Sequence, residues 1–166
     1  MKKNMSNNDL ITNFYEKIDA EELPEVFLMT FPIALIHKTM FSHLESFLKE
    51  HFDLLNSEID VLVLLYTHNN ILSPTQLYDM TVFSSGGMTK VLKRLQERGL
   101  IYRKTDPSDK RCMLVCLTQN GRELVVKSLN DISKLCSKHF EALTPKEIQT
   151  FSVLLKKILV NPRFNN

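Results

Sequence analysis

A mainly α-helical fold carrying one small β-hairpin is the architecture that this chain of 166 residues predicts. Three observations carry it. Apolar residues recur at i, i+3, i+4 and i+7 over most of the chain, the period of helices with one buried face. That period gives way to short β-type runs over residues 100–104 (LIYRK) and 112–117 (CMLVCL), with turn chemistry at Asp106, Pro107, Ser108 and Asp109 between them. Two helix starts read Ser73-Pro74-Thr75-Gln76 and Thr144-Pro145-Lys146-Glu147. In each, the first hydroxyl accepts from a backbone amide, the proline sits where no donor is needed, and the Gln or Glu returns the bond.

Residues 1–24 are polar, with a short helix around 9–18, and read as an arm outside the core. From Thr30 to about Phe52, Ile33, Leu35, Ile36, Met40, Phe41, Leu44, Phe47 and Leu48 stand at helical spacing, and Pro32 suits the first turn. A helix starting near Glu25 would instead put Pro32 in its interior and kink it. Asn56 or Ser57 is expected to cap a second helix bearing Ile59, Leu62, Val63 and Tyr66 that stops before His68. The Ser73 start opens a short third helix with Leu77 and Met80 on one face. Ser84 or Ser85 caps a fourth, whose Met88, Val91, Leu92 and Leu95 must face the core, and Gly99 closes it where left-handed backbone is favoured. The two β-type runs then pair as an antiparallel hairpin. Thr118 caps a long helix with Leu124, Val125, Leu129, Ile132 and Leu135 on one side, continuing to about Ala142. The Thr144 start opens the last helix, with Ile148, Phe151, Leu154, Leu155, Ile158 and Leu159.

Three short helices followed by a hairpin is the order of the winged helix-turn-helix, in which the third helix reads DNA and the hairpin is the wing. The helices outside that unit are too apolar to stand alone. Burial against a second subunit is the expectation, and use as ordinary core in a monomer is the competing reading. The boundaries are then an N-terminal arm (1–24), a first dimerisation helix (25–55), a winged helix-turn-helix DNA-binding lobe (56–118) and C-terminal dimerisation helices (119–166).

Net charge is only +2, but it is unevenly placed. Between Lys90 and Arg111 stand eight basic residues against three acidic ones, so the rest of the chain is slightly acidic. A local basic patch on such a body is the electrostatic footprint of a polyanion-binding surface, since neutralised phosphates release counterions. A merely solvated face would carry signs nearer to balance.

The segment 84–121 also carries a likeness. The helix segment SSGGMTKVLKRLQERGLIYR, then DPSDKR in the wing, then VCLTQNG leading into the long helix resemble the MarR family of bacterial transcription regulators. The combined spacing of RLxxxGLI, DxxDxR and LTxxG is fairly specific, although each piece alone is weak. The likeness covers residues 56–124 by motif and the flanking helices by arrangement only. It implies a homodimer with interleaved terminal helices, bound to a pseudo-palindromic double-stranded DNA operator, with binding commonly altered by a small molecule or an oxidant.

Recognition is expected from residues pointing away from the apolar stripe at the start of the fourth helix: Ser85, Gly86, Thr89, Lys90 and Lys93. Ser85 and Thr89 can reach base edges or phosphates, Gly86 lets the backbone approach closely, and Lys90 can bond a guanine or neutralise a phosphate. Unpaired amides at the helix start attract phosphate as well. For Ser84 or Ser85, capping alone is the competing reading. Arg94 is placed to meet the DNA backbone or a carboxylate. In the wing, Asp109 and Arg111 are two apart, so on a strand they share a side where the carboxylate would hold the guanidinium. By resemblance Arg111 approaches the minor groove, and Lys110 and Arg103 are phosphate candidates. An Asp109–Arg111 ion pair that only fixes the hairpin is the structural alternative.

Other chemistries find less support. Three cysteines, Cys112, Cys116 and Cys136, match no usual zinc or disulfide spacing and fit a reducing cytoplasm. Cys112 and Cys116, four apart on one strand, lie roughly 13 Å apart by strand rise, too far for a disulfide. The five histidines fall on different segments, His37 alone suggesting a site completed across a dimer, so no metal or cofactor is expected. The glycines near Ser84 lack the spacing of a phosphate loop, and no catalytic set stands out, which argues against an enzyme. The start of the chain lacks a signal-peptide pattern, and no apolar run approaches the roughly 18 residues of a membrane span. A winged-helix module docking an acidic protein partner is the alternative to a DNA-binding regulator, because charge alone does not choose between two anionic surfaces.

Overall fold

The computed structural model describes residues 7–20, 24–81 and 85–161. In chain order these form α1 (Asn7–Ala20), α2 (Glu25–Phe52), α3 (Asn56–Thr67), β1 (Ile71–Leu72), α4 (Pro74–Asp79), α5 (Ser85–Glu97), β2 (Ile101–Thr105), β3 (Met113–Leu117), α6 (Gln119–Ser137), a 3₁₀ turn (Lys138–Phe140) and α7 (Pro145–Leu159). The fold is mainly helical with a small antiparallel sheet, as the periodicities predict.

The chain divides into two compact units, residues 1–42 and residues 43–166. In the first, Phe14 of α1 packs on Phe31 of α2 with ring centroids 4.7 Å apart, and Phe27 stacks on Phe31 at 5.5 Å. The helix begins at Glu25, so Pro32 lies inside it rather than in its first turn. There it withholds the amide that would donate to residue 28.

The second unit holds the buried core. Leu48, Leu54, Val61, Leu62 and Leu65 meet Leu77, Leu92, Leu95, Ile101, Val115 and Val125, all almost fully buried. The α3 start differs from expectation: the cap residue is Leu55, whose amide donates to Glu58 Oε2 at 2.8 Å, and Asn56 and Ser57 lie within the helix. In α4 the expected box forms, with Gln76 N donating to Ser73 Oγ and Ser73 N to Gln76 Oε1. Leu77 is buried, but Met80 falls beyond the helix end and is exposed. The long helix α6 stops at Ser137, not near Ala142, and passes into the 3₁₀ turn Lys138–Phe140.

The sheet has the order β1-β3-β2. In the hairpin Ile101 pairs with Leu117 and Thr105 with Met113, while Ile71 and Leu72 pair with Cys116 and Val115 on the other edge of β3. That third strand went unpredicted because it is two residues long. Its entry is set by Asn69 and Asn70 at φ of 56° and 64°, a left-handed conformation that Asn tolerates.

One junction joins α5, the hairpin and α6. Gly99 turns the chain at φ 67°, and the Leu100 carbonyl then accepts from Thr118 N at 3.0 Å. Thr118 Oγ1 donates between the Gly99 and Leu100 carbonyls at 2.8 and 3.0 Å, and it accepts from Gly121 N at 3.0 Å. A Cβ on Gly121 would overlap the Leu100 carbonyl oxygen and lie 2.8 Å from Leu117 Cδ1. The LTxxG pattern is therefore a packing requirement. Gly121→Ala should cost about 3 kcal/mol in urea denaturation, since backbone must shift. Gly99→Ala, with open space but left-handed backbone, should cost about 1–2 kcal/mol. Equal losses at the two sites would show that the junction yields without strain.

Candidate nucleic-acid interface

Two faces of α5 separate cleanly. Met88, Val91, Leu92 and Leu95 are at most 7% exposed, which fixes the helix's rotation about its axis. Thr89, Lys90 and Lys93 are exposed on the remainder. Lys93 lies 3.8 Å from Glu97 Oε1 in a well-exposed pair, an interaction weak enough to leave the ammonium available. Ser85 and Gly86 form the first turn, where helix amides lack intrahelical acceptors. Ser84 lies outside the described residues.

Arg94 is not on the outward face. Its Nε is 3.3 Å from Glu58 Oε1, and its Nη2 is 3.1 Å from Asp53 Oδ1 and donates to the Asp53 carbonyl at 2.9 Å. This is the carboxylate contact, one of the two expectations for Arg94. Glu58 is fully buried; its Oε1 makes no hydrogen bond and is balanced by charge alone, whereas Oε2 holds the Leu55 amide. A buried carboxylate without a cation would be costly, so the pair ties the half-buried Arg94 to Glu58.

The wing presents Arg103 and Lys104 as exposed residues of β2 and Lys110 and Arg111 as exposed residues of the turn. Lys104 entered the sequence reading only through the charge of the patch. The turn is fixed by its own carboxylates. Asp106 Oδ1 accepts from Ser108 N at 2.8 Å and Ser108 Oγ at 2.6 Å, bonds that hold its carboxyl below the usual range. Asp109 Oδ1 accepts from the Arg111 backbone amide at 2.9 Å, and Oδ2 accepts from the Cys112 thiol at 3.4 Å. The expected Asp109–Arg111 side-chain brace is thus corrected: among the described residues no ion pair joins them. Residues 109–112 turn instead of continuing a strand, so side chains two apart do not share a face. The carboxylate holds the main chain of Arg111 and leaves its guanidinium exposed.

The cysteines are free thiols, with Cys112 exposed and Cys116 buried in β3. The bond to Asp109 and its charge push the Cys112 thiol above its usual range. His43 Nδ1 and His139 Nε2 stand 3.4 Å apart, a pairing that their separation in sequence hid. No group of three or more metal-binding side chains occurs among the described residues. No helix of the described residues is long and apolar enough to cross a membrane.

Residues 52–111, which run from the end of α2 through the wing turn, match the model of the MarR family. Over this segment the chain is similar to the MarR family. It is 34% identical over 104 residues to the HTH-type transcriptional regulator YkoM of Bacillus subtilis, a match spanning 61% of this chain and 65% of that protein. It is 26% identical over 131 residues to the HTH-type transcriptional regulator MhqR of the same organism, spanning 78% of this chain and 89% of MhqR. Among solved structures, a mutant MarR from Escherichia coli complexed with operator DNA superposes with a TM-score of 0.65 at 25% identity, covering 84% of this chain and 99% of that one. The fold, mainly helical with a small antiparallel sheet, is similar to the winged helix-turn-helix fold of these structures.

The Asp109 contacts predict the chemistry of the wing thiol. Alkylation of Cys112 by iodoacetamide at pH 8 should be slower than that of a free cysteine, because the proton is held above the usual thiol range. Asp109→Asn should accelerate it. Unchanged rates in the variant, followed by mass spectrometry, would mean that the thiol does not sense Asp109.

Proposed function

We propose that this protein is a dimeric, sequence-specific DNA-binding transcription regulator that represses its own or nearby promoters and is released by a small ligand. The observation that carries the reading is the exposed front of α5, Thr89, Lys90 and Lys93, opposite a buried stripe and followed directly by a basic wing. A helix fixed by its apolar side can offer those residues to a major groove while Lys110 and Arg111 reach the adjacent backbone or minor groove. Ser85 and Gly86 bring the helix's amides toward phosphate, and Arg103 and Lys104 extend the basic strip. No catalytic step is part of this reading.

The dimer follows from surface that one chain leaves uncovered. In α7 every residue is exposed, including Phe151, Leu154, Leu155, Ile158 and Leu159, an apolar load that a second copy would bury. Two recognition helices in successive major grooves stand about 34 Å apart, so a pseudo-palindromic site is the natural target. For the ligand, a cleft of about 380 Å³ is lined by Leu44, Ile59, Val63, Leu129 and Ile132, with Asp60 as the one charged group in its wall. Burial pushes the Asp60 carboxyl above its usual range, which favours its neutral form, so the cleft with its largely apolar wall suits a neutral apolar molecule.

Titration against the chain's own upstream DNA at several salt concentrations tests the reading. Binding should weaken steeply with salt. Lys90→Ala should lower affinity and, where Lys90 meets phosphate, make the slope of log K against log salt shallower by about 0.9. Arg111→Ala should weaken binding severalfold with the dimer intact by sedimentation, and Leu154→Glu should give monomers that fail to bind. Binding that is absent or insensitive to salt overturns the proposal.

A further inference from the structure

Arg98, one residue beyond α5, belongs to none of the surfaces assigned to DNA. Its Nη1 donates to the Asp53 carbonyl at 2.6 Å and its Nη2 to the Phe52 carbonyl at 3.0 Å. Arg94 donates to the same Asp53 carbonyl. These acceptors close the C-terminus of α2, where helix carbonyls lack intrahelical donors and the helix dipole is negative. Asp53 itself turns the chain at φ 50°, and Leu54 N donates back to the Leu48 carbonyl at 3.1 Å, a helix end built on a left-handed residue. Two guanidinium groups four residues apart would repel. Here they converge on one carbonyl, with the carboxylates of Asp53 and Glu58 at 3.1 and 3.3 Å from Arg94 offsetting their charge.

Two consequences follow. The four charges cancel, so Arg94 and Arg98 add little to the field presented to DNA although both count in the basic run. The apolar stripe fixes which face of α5 is buried. The clamp adds a second attachment, because it ties the C-terminal end of α5, off the stripe, to the end of α2.

We propose that Arg98, acting with Arg94, is a positioning residue that sets the tilt of the recognition helix and so the presentation of Thr89, Lys90 and Lys93. The inference rests on the DNA-binding reading above. It assigns to two arginines a part in recognition without contact to DNA.

The test is operator titration over a range of salt, with circular dichroism at the assay temperature, on the full chain and on Arg98→Gln and Asp53→Asn. Arg98→Gln should bind about tenfold more weakly with the salt slope unchanged and the helix signal intact. A slope shallower by about 0.9 would show that Arg98 meets phosphate, and unchanged affinity with a lowered melting temperature would show a structural role alone; either overturns the proposal. Asp53→Asn keeps the left-handed backbone and removes a negative charge. If charge alone mattered it would tighten binding, so weaker binding supports the clamp and tighter or unchanged binding overturns it. Salt-insensitive binding by the unaltered chain would instead sink the DNA-binding reading itself.

Discussion

The Leu100 carbonyl oxygen accepts both the amide and the hydroxyl of Thr118, and this pair of bonds joins the end of α5, the close of the hairpin and the start of α6. Each neighbouring feature answers to it. Gly99 is left-handed because the chain must reverse to bring that carbonyl round. Gly121 carries no side chain because the first turn of α6 passes against it. Thr118 is a threonine because one hydroxyl must cap the helix and donate to the turn at once. The wing is therefore no loose appendage: its two strands leave and return through a single hydrogen-bonded knot at the end of α5.

The electrostatics of the basic run divide by the same logic. Charge counted along the sequence treats every lysine and arginine between Lys90 and Arg111 alike, but the structure sorts them. Lys90, Lys93, Arg103, Lys104, Lys110 and Arg111 lie at exposed positions, whereas Arg94 is committed to a fully buried Glu58 and Arg98 to two backbone carbonyls. A field built from six cations beside a neutral clamp is narrower than one built from eight. It is centred on the N-terminal half of α5 and the wing, where a helix laid in a groove meets base edges.

Periodicity made most of the fold legible. The stripe Met88, Val91, Leu92 and Leu95, the Ser73 and Thr144 boxes, the hairpin and the Gly99 turn all follow from local rules that a sequence displays. What escaped depends on partners distant in sequence or on local detail below the resolution of a period. Arg94 and Arg98 meet acceptors 41 to 46 residues away, and nothing in RLQERG announces them. The two residues of β1 are too few to show alternation. Asp109 was read with strand geometry and proves to sit in a turn, so its carboxylate reaches an amide and a thiol instead of a guanidinium. At the start of α3 the sequence offers two good capping side chains, and the helix begins one residue earlier because buried Glu58 reaches back to the Leu55 amide.

That last substitution of one cap for another links the clamp to the cleft. Glu58 sits in the first turn of α3, where it holds Leu55 with one oxygen and faces Arg94 with the other. Ile59, Asp60, Val63 and Leu64 of the same helix line the cleft. If a molecule enters the cleft as proposed, it would bear on the helix whose buried carboxylate faces Arg94 of α5. It can shift DNA binding only by the difference in its affinity for the two placements of α3. A buried carboxylate with one cation beside it resists separation from it, because moving Glu58 away from Arg94 would leave a buried charge without its cation. On the proposed reading, a displacement of α3 would therefore be felt at Arg94 and, through it, at α5.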